Sequence, residues 1–123
     1  MQSSDLRVLI CDDSMMVQKK MSDLLKNNGY TTIFQARDGQ AAVDTYKEVR
    51  PHVVFMDIVM PVKMGVEALT EILAFDPQAK VFMASSIGTQ SNVQEAILRG
   101  AIDFLQKPVE DAQVLKLLGN LCK

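Results

Sequence analysis

Five positions in this chain carry side chains whose types and placement could do chemistry. Asp57 follows the apolar run Val53-Val54-Phe55-Met56 and leads into Ile58-Val59-Met60-Pro61. Asp12 and Asp13 follow Leu6-Arg7-Val8-Leu9-Ile10-Cys11, Ser85 closes Lys80-Val81-Phe82-Met83-Ala84, and Lys107 follows Ala101-Ile102-Asp103-Phe104-Leu105-Gln106. Each polar group stands where a short apolar run stops. Three carboxylates brought together raise one another's pKa unless a cation relieves them, and an all-oxygen donor set suits Mg²⁺, which takes a few carboxylates and keeps several waters. A lysine opposite the acids and a hydroxyl beside them add a point charge and a donor, parts suited to holding a phosphoryl group on a carboxylate oxygen. The chemistry this points to is phosphorylation of Asp57 at a divalent-metal site.

That reading requires the elements to bring these positions together. A run apolar at every position, such as Val53 to Met56, reads as a strand buried on both faces, as in a parallel sheet covered by helices. After Asp12-Asp13-Ser14, Val17, Met21, Leu24 and Leu25 fall at helical spacing, and Gly29 is a natural stop. Residues 31–36 form a β-branched strand, and Asp38 can cap a helix carrying Ala42, Val43, Tyr46 and Val49, which Pro51 ends. A third helix after Gly65 carries Val66, Leu69, Ile72 and Leu73 and breaks at Asp76-Pro77. Residues 90–99 carry only Val93, Ala96 and Ile97 and form the weakest helix. A last helix from about Glu110 carries Val114, Leu117, Leu118 and Leu121. Five strands alternating with five helices predict a doubly wound α/β domain, with flavodoxin-like strand order 2-1-3-4-5 as the common choice at this size. Parallel strands put Asp12, Asp13, Asp57, Ser85 and Lys107 at one edge of the sheet, where ligands bind in such folds.

Composition narrows the classes. The 123 residues are 48% hydrophobic and 23% charged, which suits one globular domain over 1–123 with no linker, repeat or low-complexity tract. A net charge of -2 gives no footprint for nucleic acid. No apolar span is long enough to cross a membrane, and Gln2-Ser3-Ser4-Asp5 interrupts any leader, so a cytoplasmic location is expected. Cys11 reads as core and Cys122 as incidental. No G-x-G-x-x-G or P-loop pattern follows a strand, which disfavours nucleotide binding.

Each candidate also has a plainer reading. Asp12-Asp13 could cap the first helix. Ser85 could be a hydroxyl satisfied by backbone, and Lys107 a solvated strand-end lysine. His52, the single histidine, begins the third strand far from Asp57 and reads as a surface residue, not a base. Most of the eight methionines read as core packing, with Met15 and Met16 at the rim of the acidic site. Gly29, Gly65 and Gly100 read as turn or cap positions.

Taken together, Asp12-Asp13, Asp57 with Met60-Pro61 and Gly65, Ser85, and Lys107-Pro108 resemble the motif set of response-regulator receiver domains, and the chain length is similar to the single-domain CheY-like type. The resemblance spans nearly the whole chain. It implies that Asp57 accepts a phosphoryl group from a sensor histidine kinase, and that Asp12, Asp13, Asp57 and the Val59 backbone carbonyl hold Mg²⁺. It further implies that Lys107 pairs with the phosphoryl group, that the Ser85 hydroxyl moves to it, that the Lys107-Pro108 peptide is cis, and that the output is contact with a partner such as a flagellar motor component or a phosphatase. Phe104 occupies the switch-aromatic position, and it and residues 87–89 are expected to differ between states. Met64 stands where many members have an acid. Val59 and Ile87 occupy the two positions that tune dephosphorylation, and neither can orient a water. Slow loss of the phosphoryl group is therefore expected. Such a domain is not an enzyme beyond its own phosphoryl transfer. The rivals are a phosphohydrolase with an aspartyl-phosphate intermediate, which would want an acid at Val59, and a phosphorylation-independent adaptor.

Overall fold

A computed structural model of the chain describes residues 2–86 and 90–122. After a short 3-10 turn at Ser3–Asp5, the elements are β1 (Arg7–Cys11), α1 (Met15–Asn27), β2 (Thr32–Ala36), α2 (Gly39–Val49), β3 (Val53–Asp57), α3 (Gly65–Phe75), β4 (Val81–Ser85), α4 (Gln90–Leu98), β5 (Asp103–Gln106) and α5 (Asp111–Leu121). All strand pairs are parallel, in the order β2-β1-β3-β4-β5. The expected doubly wound, flavodoxin-like sheet is the fold.

Helices cover both faces. Leu9, Val54, Met56, Val81 and Met83 pack against α2 and α3 through Ala42, Val43, Tyr46, Ala68, Leu69 and Ile72, and Ala96 of α4 joins them. On the other face Val8, Ile10, Val53, Phe55, Phe82 and Leu105 meet Leu25 of α1 and Val114 and Leu118 of α5. Phe55 and Phe82 stack there with ring centroids 5.7 Å apart. This two-sided cover is why every residue of β3 and β4 is buried, as their unbroken apolar runs require.

The edges depart from the expectation. The fifth strand starts at Asp103, not Ala101, and buries only Leu105 fully, because it has a neighbour on one side alone. On α1 the buried residues are Gln18, Ser22 and Leu25, whereas Val17, Met21 and Leu24 are only half-buried. Ile97, expected on the inner stripe of α4, is exposed, and burial centres on Ala96. Met56, Met60 and Met83 are core and Met21 packs against it, so packing accounts for most of the described methionines, while Met15, Met16 and Met64 are exposed.

The helix ends form as their sequences dictate. Asp38 caps α2, its Oδ1 accepting from the Ala41 N–H at 2.7 Å. Gly29 and Gly100 take φ values of +88° and +108°, where a side chain would be strained. At the amino end of β3, His52 is half-buried and its Nδ1 accepts from the Arg7 N–H at 2.9 Å, so it is a structural acceptor and not a free surface group.

The placement of His52 makes stability depend on pH. Burial first, then the charges of Arg7 and Lys80, hold the His52 imidazole below its ordinary value of 6.5, with Asp5 acting in the other direction. The unfolded chain therefore takes up this proton first. The contribution is complete above 6.5 and is lost as the pH falls from there through the lower folded value. Urea unfolding midpoints of the wild type should fall across that window, and His52→Gln should flatten this part of the profile. An unchanged slope in the variant would show that His52 does not carry it.

Candidate functional site

The carboxyl ends of β1, β3, β4 and β5 converge. Register pairs Cys11 with Met56, Asp57 with Ala84, and Ser85 with Gln106, so the residues that end or follow these strands lie side by side. Carboxylate oxygens of Asp12, Asp13 and Asp57 all lie within 4.8 Å of one another. Asp12 and Asp57 are buried and Asp13 is exposed, so the cluster has a closed floor and an open side.

Lys107 crosses this cluster. Its Nζ lies 2.5 Å from Asp12 Oδ2 and 3.1 Å from Asp57 Oδ2, which excludes the plain solvated-lysine reading. The Lys107 N–H donates to the Ser85 carbonyl at 2.9 Å, tying the base of the lysine to the buried serine, and the Lys107-Pro108 peptide is cis, as the resemblance implies. Burial opposes the lysine's charge, but the Asp12 hydrogen bond and the Asp57 and Asp12 charges outweigh it and push its pKa up. For Asp57, burial is the largest influence and lifts the carboxyl above its ordinary range. Lys107 and the Val59 N–H, 3.4 Å from Oδ1, pull it down without reversing that. Lysine leans toward Asp12 and leaves Asp57 the less compensated acid. Part of the burial is apolar: a cavity of about 110 Å³ below the cluster is walled by Phe55, Met21, Leu24 and Val114.

The capping alternative for the acidic pair does not hold. Ser14 is the cap of α1, its hydroxyl accepting from the Val17 N–H, and Asp12 Oδ1 instead accepts from the Ser14 N–H at 2.9 Å. Asp12 is thereby turned toward Lys107 and Asp57. Three carboxylates against one ammonium, all hard oxygen donors and close enough to share an ion, are a donor set that fits a divalent cation.

Other expected positions fall as follows. Val59 is nearly half exposed next to Asp57, and Met64 is exposed in the same loop. Phe104 pairs with Met83 in the sheet and is half-buried against the α2–α3 face of the core. Ile87 and the rest of 87–89 lie outside the described residues.

Two supporting residues escaped the sequence reading. Gly39 opens α2 where the β3–α3 loop crosses it; a Cβ there would lie 1.9 Å from the Lys63 carbonyl oxygen. Gln18 is buried on α1, and its Nε2 lies 2.9, 3.1 and 2.9 Å from the carbonyls of Ile10, Asp12 and Ala36. It ties α1 to the ends of β1 and β2 beside the acids. Its Oε1 is buried with no partner among the described residues, a cost that offsets part of the gain. Gln18→Leu should therefore lower stability by about 1 kcal/mol, not the full penalty of the orphaned carbonyls. An unchanged urea midpoint would show that the tie contributes nothing.

Comparison with known proteins agrees with this geometry. Residues 8–119 match the family model described as the response regulator receiver domain. Protein CcdB of Bacillus subtilis is 44% identical over 115 residues, covering 94% of this chain and 96% of that protein. Chemotaxis protein CheY of Thermotoga maritima is 40% identical over 117 residues, covering 95% and 98%. A chain of the CheX-CheY-BeF3-Mg²⁺ complex from Borrelia burgdorferi superposes with a TM-score of 0.88 at 33% identity, covering 96% of this chain and 90% of that one. With the strand-end acids, the serine and the lysine in place, the chain belongs to the response regulator receiver domain family.

Proposed function

We propose that the chain is a phosphorylation-activated switch of a chemotaxis-type two-component system, with Asp57 as the phosphoryl acceptor. The observation that carries this is the bridge from Lys107 to both Asp12 and Asp57 beside the buried Ser85. In this reading a carboxylate oxygen of Asp57 attacks the phosphorus of a phosphohistidine on a sensor kinase. The P–N bond breaks, leaving its electron pair on the imidazole. Lys107 then pairs with the phosphoryl oxygens, and the Ser85 hydroxyl donates to them. Asp12, Asp13, Asp57 and the Val59 carbonyl would hold Mg²⁺, which when bound supplies charge neutralisation at the transferring group. The new charge at the end of β3 favours one conformer over another, with Phe104 as the residue that changes place. The reading takes residues 1–123 as one domain that acts in the cytoplasm through contact with a protein target, a flagellar motor component or a phosphatase. Among the described residues no helix is long and apolar enough to cross a membrane.

Incubation with acetyl phosphate and Mg²⁺ should add one phosphoryl group, and borohydride trapping should place it on Asp57. No addition, or addition elsewhere, would overturn the assignment. Once formed, the acyl phosphate should outlast seconds without a phosphatase, because neither Val59 nor Ile87 can position a water. Loss of label within seconds in Mg²⁺ would contradict this, and Val59→Asn combined with Ile87→Glu should shorten the lifetime.

A further inference from the structure

At the opposite end of the sheet from Asp57 lies a second cavity, of about 240 Å³, that the switch does not use. His52 forms part of its wall. Asp57 stands five residues further along β3, which at the rise of a strand separates the two by about 16 Å. The apolar part of the wall is Leu6, Pro51 and Leu121. Its polar part is almost entirely donors. His52 Nδ1 is occupied by the Arg7 N–H, so the ring proton sits on Nε2 and that edge can only donate. Gln78 and Lys80 add an amide and an ammonium, neither side chain having a partner among the described residues.

The one acid of the wall is already committed. Asp76 Oδ2 accepts from the Tyr46 hydroxyl at 2.7 Å, and Oδ1 accepts from the Gln78 backbone N–H at 3.0 Å. Arg50, whose guanidinium lies over the Phe75 ring, also acts on the Asp76 charge. The charges of Arg7 and Lys80 act on His52 in one direction and that of Asp5 in the other. On the wall itself Asp76 is held by its own partners, and the Lys80 ammonium stands with the donors of His52 and Gln78 next to an apolar wall.

We propose that this cavity binds a small organic monocarboxylate, its carboxylate on His52 Nε2, Lys80 and Gln78 and its short carbon body against Leu6, Pro51 and Leu121. A monoanion matches the single ammonium of the wall, whereas a dianion would be left half compensated. The volume limits the body to a few carbon atoms.

His52 is the only histidine, so the imidazole proton resonances of the intact chain report this site without assignment. Titration with butyrate at constant ionic strength should move them saturably. Butyramide, the uncharged isostere, should leave them in place, and Lys80→Met should weaken butyrate binding at least tenfold. Lys80 is exposed, so this variant keeps the fold, and Gln78→Leu gives an independent second test with a smaller loss. A shift that grows without saturating, an equal response to butyramide, or undiminished binding by Lys80→Met would overturn the proposal.

Discussion

Asp57→Asn should lose all phosphoryl uptake from acetyl phosphate while remaining at least as stable as the wild type in EDTA. Asparagine keeps the shape of the side chain and an oxygen for the Val59 N–H, 3.4 Å away. Lys107 keeps its shorter bond to Asp12, at 2.5 Å, so no buried ammonium is stranded. What disappears is a carboxylate whose charged form is penalised by burial and by the Asp12 charge more than Lys107 and the Val59 N–H compensate it. Removing that charge costs the metal-free fold nothing. In Mg²⁺ the order should reverse: a cation that binds only the folded protein raises the melting temperature, and the rise should be smaller in the variant, which offers the ion one carboxylate fewer. A variant that still takes up label would place the acceptor elsewhere. One that unfolds in EDTA would show Asp57 to be a structural ion-pair partner first.

Gly65→Ala should be among the most damaging single-methyl changes in the chain. A Cβ at this position would lie 2.0 Å from the Asp57 carbonyl oxygen and 2.9 Å from the Ile58 Cα, and neither is a flexible side-chain end. The start of α3 would have to move off the end of β3, stretching the bond from the Gly65 N–H to the Ile58 carbonyl, now 2.8 Å. The expected loss is about 3 kcal/mol, the upper end of overpacking costs, together with impaired phosphorylation because the acceptor's own backbone is displaced. The control is the same substitution in α5. Gly119 has nothing within 4 Å of its Cβ direction and sits inside a helix, so Gly119→Ala should stabilise by about 0.5–1 kcal/mol. Urea denaturation of the two variants should move the midpoint in opposite directions; equal effects would refute the close-approach argument.

These glycines show where the sequence is readable and where it is not. The apolar runs before Asp57 and Ser85 predict strands buried on both faces, and β3 and β4 are buried at every position. The acids, the serine and the lysine follow from the same logic, because parallel strands must deliver their carboxyl ends to one edge. Gln18 was hidden for a physical reason: a hydrophobic stripe marks residues that pack, and Gln18 is inside because its amide meets backbone carbonyls from two strands. Gly39 was hidden because its requirement comes from a loop distant in sequence, at Lys63. The acidic pair could be read as a cap until the backbone showed Ser14 in that place. The start of β5 and the place of Ile97 on α4 were misjudged, because elements at the side of the sheet bury too little for periodicity to define them.

The position of His52 has a kinetic meaning. No other imidazole exists in these 123 residues, and this one is held by Arg7 at the far end of β3 from the acceptor. The chain therefore cannot donate to itself through a phosphohistidine of its own. With Asp57 as acceptor, charging takes a phosphohistidine from outside these 123 residues, so with a separate phosphorylated donor the rate should rise in proportion to its concentration until a complex saturates. The extent of signalling is then set by the supply of that donor and by how long Asp57 holds what it receives.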